Sequence, residues 1–183
     1  ENVFYYITVM NENYAHPPMP EGAQEGILQG MHRLRQAPKG RKAVPRVQLF
    51  GSGTILRESM AAAELLEQDF GVLADLWSVT SYNELARQGR EAVRWNRLHP
   101  EAAARPVYVS EQLADAQGPI IAASDYNQAY ADQIREFVNG RRYVVLGTDG
   151  YGRSGTREQL RRFFEVDRYQ IAIAALSALA DEN

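Results

Sequence analysis

Val47-Gln48-Leu49-Phe50-Gly51-Ser52-Gly53-Thr54-Ile55-Leu56 is the stretch from which the fold can be read. Residues 47–50 suit a short buried strand, and Gly51-Ser52-Gly53-Thr54 a tight turn. Residues 55–70 suit a helix, because Met60, Ala63, Leu66 and Phe70 recur at three to four positions, and Gly71 reads as its C-cap. A parallel pair of strands cannot close through a hairpin and needs a crossover, commonly a helix. A strand, a glycine turn and a long amphipathic helix are therefore the opening of an α/β sheet.

The alternation continues downstream. Leu73–Val79 is the next strand, and Ser81-Tyr82-Asn83-Glu84 carries the S-x-x-E pattern that satisfies two free N–H groups at a helix start. A helix is expected from Tyr82, with its continuation weakened at Gly89. Pro100 and Pro106 bracket an irregular region ahead of 107–109, and 110–117 reads as one short helix. Ile120–Ala123 forms a strand. Asp125 is a candidate cap for a helix whose apolar stripe is Ala129, Tyr130, Ile134, Phe137 and Val138, ended by Gly140. Tyr143–Leu146 returns to the sheet. After the loop 147–155, Thr156 and Asp167 each stand three residues before a glutamine, Gln159 and Gln170, which predicts two final helices, the second carrying Ile171, Ala174, Ala175 and Leu179.

Upstream, residues 22–35 suggest a short helix and then a strand, since Ile27, Leu28, Met31 and Leu34 have a helical spacing that Gly26 and Gly30 interrupt. Residues 4–9 are aromatic and β-branched, as strands are, and Pro17, Pro18 and Pro20 in the following stretch forbid a helix interior or a central strand. The chain therefore divides into residues 1–22, an incoming strand and proline-rich linker from a preceding domain, and residues 23–183, one α/β domain. A chain that opens inside a strand, with no initiator methionine, reads as a fragment or a processed piece.

At 183 residues the chain is long enough for one ordinary core, and with 45% hydrophobic and 23% charged residues it is neither disordered nor fibrous in composition. A net charge of −3, with the arginines spread along the chain, argues against nucleic acid as a partner. Without cysteine the protein has neither disulfides nor thiolate metal sites. No apolar run reaches the roughly 18 residues of a membrane span. The expected compartment is the cytoplasm.

Two loops are candidates for chemistry. Gly51-Ser52-Gly53 between strand and helix could cradle a phosphate on backbone N–H groups, but Leu56 stands where a dinucleotide fingerprint has its third glycine, so a plain turn is the better reading. Ser52 has no histidine nearby in sequence to act as its base. The second loop, Thr148-Asp149-Gly150-Tyr151-Gly152-Arg153-Ser154-Gly155, lies at the C-terminal end of a strand, where open α/β sheets place ligand contacts. Asp149 alone is far from the oxygen set that magnesium needs. His16, His32 and His99 lack the spacing of a helical metal pair, and Trp77 and Trp95 suit a core or an interface. Residue chemistry by itself assigns no catalytic, cofactor or metal residue.

The order of motifs nevertheless resembles a known family. Val47-Gln48-Leu49-Phe50-Gly51-Ser52-Gly53, Ala62-Ala63-Glu64-Leu65-Leu66 and Trp77-Ser78-Val79-Thr80-Ser81 resemble the C-terminal domain of transketolase-like enzymes. Leu146-Gly147-Thr148-Asp149-Gly150-Tyr151-Gly152-Arg153-Ser154, with Leu160-Arg161-Arg162-Phe163-Phe164-Glu165-Val166-Asp167, is similar to the version in homodimeric, thiamine-diphosphate-dependent pyruvate dehydrogenases. Asn11-Glu12-Asn13-Tyr14, Met19-Pro20-Glu21-Gly22, Glu84-Leu85-Ala86-Arg87, Trp95-Asn96 and Leu98-His99-Pro100 extend the likeness over nearly the whole chain.

The resemblance implies a three-layer α/β/α sandwich around a five-stranded, mostly parallel sheet with one antiparallel edge strand. It implies that the full protein oxidatively decarboxylates pyruvate and passes acetyl to the lipoyl group of a dihydrolipoyl acetyltransferase. Thiamine diphosphate and Mg²⁺ would then be held by other domains and by the homodimer mate, with none bound by this chain. Thr148-Asp149-Gly150 only imitates the family's cofactor motif, and no asparagine pair follows near Leu179. By the same resemblance, Asp149, Tyr151, Gly152, Arg153 and Ser154 form a contact with another domain or partner, a regulatory or inhibitor protein among the candidates. The alternative from a different class is a stand-alone module that binds a nucleotide or another anion.

Overall fold

The structure, a computed structural model, describes residues 2–5, 7, 13–38 and 44–181. The elements run α1 (Gln24–Gln29), β1 (Met31–Arg35), β2 (Arg46–Gly51), α2 (Leu56–Asp69), β3 (Leu73–Val79), α3 (Tyr82–Leu98), α4 (Tyr108–Gln112), β4 (Ile120–Ala123), α5 (Gln128–Asp132), β5 (Tyr143–Leu146), α6 (Arg157–Phe163) and α7 (Arg168–Ala180), with 3₁₀ turns at Gly53–Ile55 and Arg135–Phe137. The sheet order is β1-β3-β2-β4-β5. β1 pairs antiparallel with β3, and every other neighbour is parallel. The expected five-stranded mixed sheet is thus the observed one.

Side chains alternate across the central strands and feed two cores. Val47 and Leu49 of β2 join Ala74 and Leu76 of β3 against Ala62, Ala63 and Leu66 of α2 and Ile171, Ala175 and Ala178 of α7. Phe50, Trp77 and Val79 face the other way, onto Leu85 and Ala86 of α3, Val109 of α4 and Ala131 of α5. Helices therefore cover both faces, as buried parallel strands require. Among the described residues no helix is long and apolar enough to cross a membrane.

Several local expectations change in the folded chain. α3 runs unbroken through Gly89, because the glycine is the contact: a Cβ there would stand 2.5 Å from the Phe137 ring. The expected helix after Asp125 splits into α5 and the second 3₁₀ turn. Its inward stripe is Ala131, Ile134, Phe137 and Val138, while Ala129 and Tyr130 of the expected stripe are exposed. Asp125 is not the cap, for Tyr126 and Asn127 precede the first helical turn. The short helix expected at 110–117 spans Tyr108–Gln112 instead, with Gln88 Oε1 accepting the Tyr108 amide at 2.9 Å at its start. At the N-terminus, Val3, Phe4, Tyr5 and Ile7 are exposed and belong to no strand, and Tyr6, Thr8 and Val9 of that expected strand lie outside the described residues.

A polar network centred on Gln48 sits inside this apolar frame. Gln48 is fully buried on β2, and its Nε2 donates to Asp75 Oδ2 at 2.9 Å and to the Gln117 carbonyl at 3.0 Å. Trp77 Nε1 donates to Gln48 Oε1 at 2.8 Å, and Asp75 Oδ1 accepts the Ala37 amide at 2.8 Å. Replacing Gln48 by leucine keeps the volume but strands a tryptophan N–H, a carbonyl and a carboxylate oxygen, each costly to leave unpaired. We expect Gln48→Leu to lower unfolding stability by about 3 kcal/mol in denaturant titration, a cost of several unmet buried groups. A loss below about 1 kcal/mol would mean that water replaces the amide.

Candidate functional site

The parallel strands β2, β4 and β5 end on one edge of the sheet, so the turns after them converge. Ser52 N donates to the Ala123 carbonyl at 3.2 Å and Ser124 N to the Leu146 carbonyl at 3.2 Å, which carries the ladder one step past the strands. Thr148 N donates to the Tyr126 carbonyl at 2.9 Å, and Tyr126 N to Ser124 Oγ at 2.8 Å. Gly147 lies so close to the 126–128 backbone that a Cβ there would stand 2.7 Å from the Tyr126 carbonyl oxygen. The three loops are therefore bonded to one another.

This bonding decides the role of each candidate. The Ser52 amide is occupied by Ala123, and Thr54 Oγ1 donates to Asp125 Oδ2 at 3.3 Å, so a carboxylate stands at the mouth of the glycine turn where an anion would lie. Gly51-Ser52-Gly53 works as a strand-to-helix junction. Asp149 Oδ1 accepts the Gln128 amide at 3.1 Å, so the acceptor for the first turn of α5 comes from 21 positions downstream rather than from Asp125. Among the described residues no three His, Cys, Asp or Glu side chains gather as a metal site.

Tyr151 projects outward, 96% exposed. The Arg153 guanidinium lies 4.0 Å from the centroid of the Phe163 ring, and Gly152 and Ser154 are exposed beside it. Beside them is a cavity of about 360 Å³ lined by the apolar Ile55, Leu160, Phe164 and Val166 together with Thr54, Asp125, Thr148, Arg153 and Arg157. Tyr126 and Tyr130, 5.4 Å apart edge to face and both partly exposed, extend the aromatic surface. The loop thus joins an outward-facing aromatic group and a stacked guanidinium, a pairing common in protein contacts.

Sequence reasoning missed the strongest ionic feature. Glu58, 5% exposed in the first turn of α2, holds two arginines. Its Oε1 lies 3.1 Å from Arg161 Nη1 and 3.2 Å from Arg168 Nη2, while Oε2 accepts from Arg168 Nε at 3.0 Å and from the Arg168 amide at 3.1 Å. One carboxylate therefore ties α2 to α6 and to the start of α7. Burial pushes the Glu58 carboxyl up, and the Arg168 hydrogen bonds, with the charges of Arg168 and Arg161, outweigh it and hold the group below the usual carboxylate range. Arg161 also reaches Tyr14 Oη at 3.4 Å, and Arg57 lies 4.4 Å from the centroid of the Tyr14 ring, which ties Tyr14 to α2 and α6. The broad hollow of about 1630 Å³ beside them mixes Arg57 and Arg162 with Glu64 and Glu158 and has no single charge to offer a ligand. Separations of 103 and 110 residues hid the Glu58 pairing from any local pattern.

The chain belongs to the transketolase-like TK C-terminal domain family, whose sequence model matches residues 30–167. Its fold agrees with transketolase from Campylobacter jejuni (TM-score 0.54, 16% identity, 81% of this chain and 18% of that one) and with transketolase from Leishmania mexicana (TM-score 0.54, 13% identity, 86% and 19%). Among curated proteins it is 58% identical over all 183 residues to the pyruvate dehydrogenase E1 component of Cupriavidus necator and 56% identical over the same length to that of Pseudomonas aeruginosa. The Escherichia coli K12 protein of the same name is 51% identical over 98% of the chain. The chain spans about a fifth (20%) of the length of each of these relatives.

For Glu58→Gln we expect a loss of about 2 kcal/mol at neutral pH, less than for a fully buried pair because Arg168 is partly exposed. The native carboxyl titrates below its unfolded value, so its contribution is complete above the ordinary carboxylate range and disappears as pH falls through the native value. Chemical denaturation at neutral and at acid pH checks this: the gap between the two proteins should narrow on acidification, and a constant gap would refute the ionic account.

Proposed function

We propose that this chain is the C-terminal, non-catalytic domain of a homodimeric pyruvate dehydrogenase E1 component. The full protein would oxidatively decarboxylate pyruvate with thiamine diphosphate and Mg²⁺ and pass acetyl to the lipoyl group of its acetyltransferase partner, in the cytoplasm. The observation that carries this reading is the 58% identity across the whole chain, linker included, to a protein of that name. In this reading residues 1–22 lead in from the preceding domain and residues 23–183 form the α/β unit.

The residues here do not suit the cofactor. Asp149, the nearest imitation of a diphosphate-metal aspartate, already serves the α5 amide, and the neighbouring position is Thr148. No step of the decarboxylation is therefore assigned to this chain. Its role is contact: Asp149, Tyr151, Gly152, Arg153 and Ser154 form a surface toward another domain or the dimer mate, with Asp149 holding the loop and Tyr151 and Arg153 presented outward.

Two experiments test the two parts. In thermal unfolding of the isolated chain with thiamine diphosphate and Mg²⁺, we expect no shift, whereas a ligand at about 100 times its Kd would add about 2.7 kcal/mol and several degrees. A clear shift would overturn the non-catalytic assignment in favour of an anion-binding module. In the full-length protein, Tyr151→Ala combined with Arg153→Ala should weaken the dimer or lower its melting temperature, since exposed aromatic and arginine side chains carry about 2 kcal/mol or more at contact centres. Unchanged dimer dissociation, melting and pyruvate turnover would rule the contact out.

A further inference from the structure

Asn139-Gly140 occurs where the chain turns from the second 3₁₀ turn toward β5. Asn139 has φ +58° and Gly140 φ +69°, and Arg141 N donates to the Val138 carbonyl at 3.2 Å. Two consecutive positive φ angles closed by that bond define a turn of the type I′ class, for which Asn-Gly is the least strained pair. The same pair is chemically fragile. A glycine after asparagine leaves the next backbone nitrogen unshielded, and nothing lies within 4 Å of where a Gly140 Cβ would stand. Both residues are exposed to water, and of the asparagines in this sequence Asn139 alone is followed by glycine.

We infer that Asn139 is a site of spontaneous covalent modification, deamidation through a cyclic imide. The Gly140 backbone nitrogen attacks Asn139 Cγ and forms a new C–N bond. The Cγ–Nδ2 bond breaks, and ammonia leaves, taking up the proton lost from the Gly140 amide. One water then opens the five-membered imide at either carbonyl and yields an aspartyl or an isoaspartyl linkage. Water enters and ammonia departs, and no oxidant or reductant is needed. Opposing the reaction is one hydrogen bond, Asn139 Nδ2 to the Ser110 carbonyl at 2.9 Å. A single neutral bond is worth about 1 kcal/mol, too little to protect an exposed amide for long.

The modification reaches beyond the turn. Nδ2 is a donor facing the Ser110 carbonyl, and its replacement by a carboxylate oxygen sets two acceptors against each other. That bond is one of three that fasten the turn to the α4 region, the others being Ser110 Oγ to the Phe137 carbonyl at 2.7 Å and Arg141 Nη2 to the Leu113 carbonyl at 3.1 Å. The isoaspartyl form also adds a backbone atom between Phe137, whose ring packs on Gly89, and Tyr143, whose ring meets Phe50 edge to face at 6.5 Å. Loosening of α4 and of the start of β5 is the consequence.

The test is incubation of the full-length protein at mildly alkaline pH over weeks, with peptide mass spectrometry and an isoaspartate-specific methyltransferase assay. We expect a gain of one mass unit and isoaspartate at Asn139 at least about tenfold faster than at the other asparagines of this domain, equivalent to about 1.4 kcal/mol in barrier. Asn139→Gly, which keeps the positive φ without the amide, should remove both signals while the protein stays folded. Another asparagine of the domain modifying first, or Asn139 staying intact over that time, would overturn the inference.

Discussion

A single carboxamide holds the centre of this domain in register. Gln48 and Asp75 face each other across the parallel pair β2 and β3, and two positions on, Phe50 faces Trp77 with ring centroids 6.1 Å apart. The amide satisfies the indole N–H and the Gln117 carbonyl at once, and through Asp75 it reaches the Ala37 amide beyond the end of β1. A slip of one residue between the strands would turn every side chain to the opposite face and leave these groups unpaired among hydrocarbon. Apolar burial drives the sheet together, and this polar network selects one arrangement of it.

The same economy of bonds shapes the strand ends. In many open α/β sheets the edge beyond the parallel strands is left free for ligands. Here the turns after β2, β4 and β5 bond mainly to one another, with Asp149 turned back to α5 and Asp125 turned toward Thr54. What remains exposed is an aromatic and arginine surface around Tyr151 and Arg153. The loops at the strand ends thus bond to one another and leave the cavity of about 360 Å³ beside Arg153 as the opening at this edge.

Long-range ion pairing performs on the other face what the amide performs in the core. Glu58 gathers Arg161 and Arg168 from the last two helices, and Arg161 in turn touches Tyr14. The placement of Tyr14 and that of α7 therefore depend on the same guanidinium and carboxylate groups.

Much of the fold was legible in the sequence. Leu73–Val79, Ile120–Ala123 and Tyr143–Leu146 could be bounded to the residue, because short apolar runs between turn signals are a local property of the chain. The helix starts at Ser81, Thr156 and Asp167 were equally local, since a cap and the backbone N–H that donates to it lie within one turn. Elsewhere the tertiary structure decided. α3 continues through Gly89, where the Phe137 ring fills the space a Cβ would take; α5 takes its acceptor from Asp149, not Asp125, because the loop after β5 packs against its first turn while Asp125 bonds to Thr54. Glu58 gave no signal, since its meaning depends on two arginines that only the packing of α2 against α6 and α7 brings within reach. Periodicity and capping act over a few residues and survive in the sequence, whereas charge pairing and close packing arise only when distant segments share a surface.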